Sequence, residues 1–222
     1  FYRQHLQSGA MSLDDFVEKC YEMGLDGVEL TGYYFPTREK SYLRRLRRLA
    51  LSMGLCISGA AAGSNFCRPE EAARRKEVET VGEWVEVARE LGAPCLRVFA
   101  GAAPEGCGME QATAWVVEAL KECAEIGREA GVVIALENHG GVTARAESVV
   151  RMVGEAGSEW LGVNLDLGNY HANIYEEIAQ TIPYAVHVHA KVSETGVGRP
   201  LDYERIKGML QERGYNGFLS IE

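Results

Sequence analysis

Four side chains in the second half of this 222-residue chain have the types and spacing to share one cation. They are Glu137, Asp166, His189 and Glu222, separated in turn by 29, 23 and 33 residues. Each lies at or near the end of an apolar stretch: VVIALENH, WLGVNLDLGN, YAVHVHAKV and GFLSIE. Three carboxylates and an imidazole brought together without a counterion are costly. An unpaired buried carboxylate loses several kcal/mol of solvation, and crowded like charges raise one another's proton affinity until some neutralise. A divalent ion removes both problems. Oxygen-rich ligation with one nitrogen suits Mn2+, Mg2+ or Co2+, and admits Zn2+. Singly, each residue has a plainer account. A Glu at a strand end is commonly solvated, an Asp before Gly168 commonly starts a turn, and a histidine can be satisfied in a core. Their recurrence on successive elements makes a shared metal site the better account.

The elements that must position them alternate along the chain. Stretches 25–31, 56–63, 93–101, 132–139, 160–169, 184–192 and 217–222 read as strands. Before the first of them, 12–23 reads as a helix, and between them 41–54, 68–92, 112–130, 146–157, 175–180 and 201–214 read as helices. Ser12 is suited to cap the first helix and Gly24 to stop it. In the basic helix SYLRRLRRLALSMG, Leu43, Leu46, Leu49 and Leu51 are expected to face inward, with the arginines solvated. Trp84, Trp115 and Trp160 are expected to pack on helices.

Seven strands alternating with helices imply βαβ units and a parallel sheet. An open doubly wound sheet would carry G-x-G-x-x-G after a strand, and none is present. The pattern instead predicts a (β/α)8 TIM barrel lacking its first strand, expected before Phe1, and its last helix, expected after Glu222. No linker interrupts the pattern, so residues 1–222 are expected to form one domain. Catalytic groups of such barrels sit at the C-terminal ends of the strands. Side chains two apart share a strand face. Glu137 therefore goes with Ala135 and His139, His189 with His187 and Lys191, and Glu222 with Ser220.

The formal net charge of −9 opposes nucleic-acid binding. Six cysteines occur without any C-x-x-C. They predict reduced thiols in a cytoplasmic protein, Cys20, Cys56, Cys95 and Cys123 being buried; a disulfide is left open only for Cys67 and Cys107. No apolar run approaches membrane-spanning length and no signal peptide opens the chain.

ELGAPCLRVFAG, IALENHGG, VNLDLGN, HVHAK and GYNGFLSIE occur in an order that resembles the sugar phosphate isomerase/epimerase superfamily, with its xylose isomerase-like TIM barrel. The resemblance covers nearly the whole chain. It implies one divalent metal, most often Mn2+, held by Glu137, Asp166, His189 and Glu222. It further implies that Glu137 and Glu222 form the acid/base pair. Family epimerases often place a substrate-binding histidine three residues after the metal aspartate. Here Asn169 occupies that place, and His171 lies two further on. His139, Lys191 and Arg97 are further substrate-binding candidates, Arg97 alternatively pairing with Glu137. Glu29 is expected to be structural.

This constellation predicts a metal-dependent isomerase or epimerase acting on a sugar, sugar phosphate or polyol-ketone. One glutamate would remove the proton alpha to the carbonyl, giving a metal-stabilised enediolate. Reprotonation on the opposite face epimerises, and on the neighbouring carbon isomerises. Loss of a beta-hydroxyl would make the enzyme a dehydratase or lyase on a keto-inositol or related keto-polyol. A repair endonuclease needs more histidines than the five present. A small carbohydrate is the expected partner, with self-association into a homo-oligomer compatible with the fold.

Overall fold

The computed structural model describes residues 2–191, 198 and 200–222. Seven strands form one sheet: β1 (Gly27–Thr31), β2 (Cys56–Ala61), β3 (Cys95–Val98), β4 (Val133–Glu137), β5 (Leu161–Asp166), β6 (Ala185–Ala190) and β7 (Leu219–Ile221). Every neighbouring pair is parallel and the strand order follows the chain. Between consecutive strands run α3 (Lys40–Ser52), α4 (Glu71–Leu91), α5 (Met109–Ala130), α6 (Ala146–Ala156), α7 (Ile174–Thr181) and α8 (Tyr203–Glu212). Before β1 lie α1 (Arg3–Ser8) and α2 (Leu13–Glu22). This is the TIM-barrel architecture. Among the described residues the ring is open between β7 and β1, although the two ends approach. The Phe218 ring lies 3.1 Å from where a Cβ on Gly27 would stand.

Local signals explain the helix ends. Ser12 caps α2 in a reciprocal capping box with Asp15. Glycines in the left-handed conformation end α4, α5 and α6. In α3 the buried positions are Leu43, Leu46 and Ala50, while Leu51 is 75% exposed. At 100° per residue, Leu51 turns past the stripe that Ala50 completes, which corrects the sequence expectation. The short α1 was not expected at all, and it buries no residue. All six cysteines are free, including Cys67 and Cys107, and Cys56 is exposed at the start of β2 rather than buried. Trp84 packs edge-on against Phe35 with ring centroids 5.8 Å apart.

The strands carry two different faces. Val28, Leu30, Leu96, Val98, Ile134, Leu136, Val163, Leu165 and Val188 are buried in the hydrophobic core between sheet and helices. The alternate positions hold Glu29, Arg97, Ala135, Glu137, Asn164, Asp166, His187 and His189, and their polar atoms meet one another across the barrel. Fully apolar walls on one face allow a concentrated polar set on the other. Val192, at the end of the expected sixth strand, lies outside the described residues.

Candidate active site

The carboxylate of Glu137 ends β4 and is almost completely buried. Its Oε2 lies 3.1 Å from Arg97 Nε and accepts from Asn164 Nδ2 at 3.2 Å. Its Oε1 is 2.8 Å from His139 Nδ1 and 3.4 Å from Asn169 Nδ2. Arg97 is fixed in turn by a bond from Nη1 to the Ala62 carbonyl at 3.1 Å and by the Phe99 ring, 4.0 Å beneath the guanidinium.

Asp166 ends β5 and has no exposed surface. Oδ1 accepts from Gly168 N at 2.8 Å, the turn expected of Asp-x-Gly. Oδ2 has no well-directed hydrogen bond, although Lys191 Nζ lies 3.0 Å away. Burial pushes the Asp166 carboxyl up to about 6; Lys191 opposes that rise and Glu137 adds to it. Between these two strands sits Asn138, fully buried. Its Nδ2 donates to the Asp166 carbonyl at 2.9 Å, and its Oδ1 accepts from the Asp166 amide at 2.8 Å. The two carboxylate-bearing strand tips are thereby tied together.

His189 in β6 is buried between three carboxylates. Nε2 faces Glu29 at 2.9 and 3.1 Å. Nδ1 is 3.4 Å from Glu222 Oε2 and 3.9 Å from Glu137 Oε2, with no directed hydrogen bond. Burial disfavours the imidazolium, but Glu29, Glu222 and Glu137 outweigh it and raise His189 from 6.5 to about 10. Glu222 is held down at about 2, chiefly by the neighbouring His189 imidazole, and its side chain remains 56% exposed.

Glu137, Asp166 and His189 each offer a ligand atom, all within 4.8 Å of one another. Two of the three residues carry a buried atom lacking a directed hydrogen bond, Asp166 Oδ2 and His189 Nδ1. The charges point the same way. Among these side chains Glu137 pairs with Arg97, Asp166 and Glu222 with Lys191, and Glu29 with His189, so four carboxylates face two permanent cations. A divalent ion taking the place of the His189 proton would bring that set to neutrality. The donor set therefore fits a divalent metal.

The remaining expected residues divide. His139 is half exposed, lies against Phe99 with ring centroids 4.4 Å apart, and contacts Glu137. Asn169 accepts from Lys191 Nζ at 2.9 Å and reaches toward Glu137 and His139. His139, Asn169 and Lys191 thus stand together around the carboxylates. His171 borders a cavity of about 310 Å3 with Ile174, Tyr175, Leu201 and Arg205. Glu222 reaches His189 but falls outside the tight three-residue group. Glu29, Asn138 and Asn164 were not expected as site residues. Asn138 could have been suspected, because a polar side chain between Glu137 and His139 must turn into the wall and find buried partners there.

Loop geometry on the other side of the opening is tight. Gly101 has φ +98°, and a Cβ there would sit 2.0 Å from Asn65 Oδ1. Gly141, at φ +54°, would meet the Gly101 carbonyl at 2.3 Å. Only glycine fits both the conformation and the space.

A family model of the xylose isomerase-like TIM barrel matches residues 17–222. No curated protein matches the chain. Among solved structures, a D-tagatose 3-epimerase-like protein superposes with TM-score 0.83 at 25% identity, over 95% of this chain and 86% of that one. The 3-keto-D-glucoside 4-epimerase YcjR of E. coli gives TM-score 0.81 at 17% identity over 95% and 86%. AsbF of Bacillus anthracis, described as a probable 3-DHS dehydratase, gives 0.79 at 19% over 96% and 87%. No described helix is long and apolar enough to cross a membrane. Strand order, polar strand tips and the matched length agree: the chain belongs to the xylose isomerase-like TIM-barrel family.

Proposed function

We propose that this protein is a divalent-metal-dependent isomerase or epimerase of a small carbohydrate bearing a ketone, working by proton transfer next to the carbonyl. The observation that carries the proposal is the clustering of Glu137, Asp166 and His189 at successive strand tips, with buried ligand atoms left without directed hydrogen bonds. Glu222, one strand on, contacts the same imidazole. When bound there, a divalent ion, Mn2+ by preference and otherwise Mg2+, Co2+ or Zn2+, would polarise the substrate carbonyl and offset negative charge as the proton leaves.

The chain's own residues supply the rest. Arg97 and Asn164 hold the Glu137 carboxylate in one orientation. Glu222 approaches from β7, so the two carboxylates can address different faces of one substrate carbon. Both act as acid and base in turn, and both are proposed metal ligands. Lys191, His139 and Asn169 are placed to bind hydroxyl groups around that carbon. His171 is proposed only as a more distant contact for a longer substrate. A sugar, a sugar phosphate or a polyol-ketone would satisfy this arrangement. Free thiols at all six cysteines support a cytoplasmic setting, and the core cluster shared by strands and helices among the described residues supports one domain over 1–222.

A second reading rests on Lys191. Asp166 and Glu222 raise its proton affinity against the opposing effect of burial, so it stands charged beside Glu222. An ammonium there could protonate a departing beta-hydroxyl, making the enzyme a dehydratase on a keto-inositol or related keto-polyol.

Solvent-deuterium exchange over keto sugars and keto-polyols with added Mn2+ tests both. Exchange with retained carbon skeleton and hydroxyl count supports the epimerase or isomerase. Exchange with loss of water favours the dehydratase. Turnover without any exchange, or exchange that survives Glu222→Gln undiminished, overturns the proton-transfer mechanism.

A further inference from the structure

We infer that Glu29 is a positioning residue that fixes His189 in the tautomer able to bind the metal, an inference that rests on the metal-site reading above. Glu29 lies in β1, and its carboxylate crosses the barrel to meet His189 in β6, a strand with which β1 has no backbone pairing. Both carboxylate oxygens fall within 3.1 Å of His189 Nε2. A second imidazole steadies the carboxylate: His187 Nε2 is 3.2 Å from Glu29 Oε2 and 2.7 Å from Ser220 Oγ.

A neutral imidazole carries its hydrogen on one nitrogen and a lone pair on the other. A carboxylate at Nε2 accepts a hydrogen bond and repels a lone pair. It therefore holds the hydrogen on Nε2 and leaves the Nδ1 lone pair free. Nδ1 is the atom that faces Glu137 and Glu222 and has no directed hydrogen bond of its own. The same contact fixes the rotation of the ring. Such carboxylate–imidazole–metal chains raise ligand basicity as well as orient it.

The barrel interior is shaped to admit the pair. Glu29 is in register with Gly59 of β2. A Cβ at Gly59 would lie 3.2 Å from Cys95 Sγ and 3.7 Å from both Glu29 Cγ and His187 Cε1. A Cβ there would crowd Cys95 Sγ and stand in ordinary contact with the Glu29 stem and the His187 ring. Glu29, His187 and His189 could also hold a cation of their own, since their ligand atoms lie within 4.8 Å of one another. Occupancy of both places would strip both ring hydrogens from His189, and the Nε2 contact with Glu29 argues for the hydrogen staying.

The test uses the full chain, wild type and with Glu29→Gln or Glu29→Ala, titrated with Mn2+ and followed by the electron paramagnetic resonance of the free ion. Removing the charge or the acceptor should weaken Mn2+ binding roughly 10- to 100-fold, more for Ala than for Gln. Long-range 15N–1H NMR of the Mg2+-loaded wild type should place the His189 hydrogen on Nε2. Should Glu29→Ala fail to fold, Glu29→Gln and the wild-type tautomer still decide the matter. Unchanged Mn2+ affinity in a folded variant, or a hydrogen on Nδ1, overturns the inference and leaves the metal site standing. Two Mn2+ ions per chain, one lost with Glu29, would make the cluster a second metal site and also overturn it. A wild type that binds no divalent ion overturns the metal site and this inference together.

Discussion

The two halves of the barrel opening are built for different work. Strands β4 to β7 deliver Glu137, Asp166, His189 and Glu222 on four successive tips. Strands β1 to β3 end on small residues and on loops locked to one another. Ser64 Oγ donates to the Phe99 carbonyl at 2.8 Å and accepts from its amide at 2.9 Å. The two charged residues that β1 to β3 send into the barrel each serve groups of the other half: Arg97 meets Glu137, and Glu29 meets His187 and His189. The difference teaches a division of labour. One half presents the candidate ligands, and the other sets their orientation and charge.

Substitutions can break this contrast. The largest effect should come from the ligand half. Asp166→Asn removes a charge that no neighbour replaces, and Mn2+ affinity should fall at least 100-fold in a calorimetric titration, with turnover falling alongside. Glu222→Gln should lower proton exchange by about 10²- to 10⁴-fold, the range for losing a general acid or base. Retained Mn2+ binding in that variant would separate its proton-transfer role from its ligand role.

The supporting half should act mainly on stability. Arg97→Met leaves Glu137 buried without its cation, and such a change typically costs about 3–5 kcal/mol. Thermal denaturation of the metal-free protein would show this, with partial recovery on adding Mn2+, because ligands that bind only the folded state stabilise it. Ser64→Ala, further from the ligands, should cost about 1 kcal/mol and leave the turnover number unchanged. If Ser64→Ala instead abolished exchange, the division between halves would be wrong.

Proton competition sharpens the same contrast at the ligand half. With His189 raised to about 10, metal binding at neutral pH must expel its proton. Mn2+ affinity should therefore climb on the order of tenfold per pH unit between pH 7 and 9. It should fall more steeply below about pH 6, where Asp166 also takes a proton. In the metal-free protein the sign reverses. The stability His189 contributes is complete below pH 6.5 and is lost as the pH rises through about 10. Repeating the titrations in buffers of different ionisation enthalpy would count the proton released.

Much of this was readable from residue order. The alternation of Val, Ile and Leu with small or polar residues gave the seven strands, and Glu137, Asp166 and His189 announced themselves as charged groups at the ends of apolar runs. Strand ends were less legible, because the apolar pattern runs past the last paired residue. Leu51 misled because leucines crowd α3, and burial follows angle rather than hydrophobicity. Cys56 misled because its apolar neighbours conceal an exposed strand start. Glu29 looked structural because its partners lie about 160 residues away, and no local pattern encodes a contact across the barrel. His171, two residues beyond Asn169, borders a cavity with Tyr175 and Arg205.

The clamp made by Asn138 has a thermodynamic consequence. Two hydrogen bonds tie the tip of β4 to that of β5, which fixes the spacing of the two candidate ligands they carry. The conformational entropy of bringing them together is then surrendered when the chain folds, not when the ion arrives. Ion capture would then need little reorganisation of these strands.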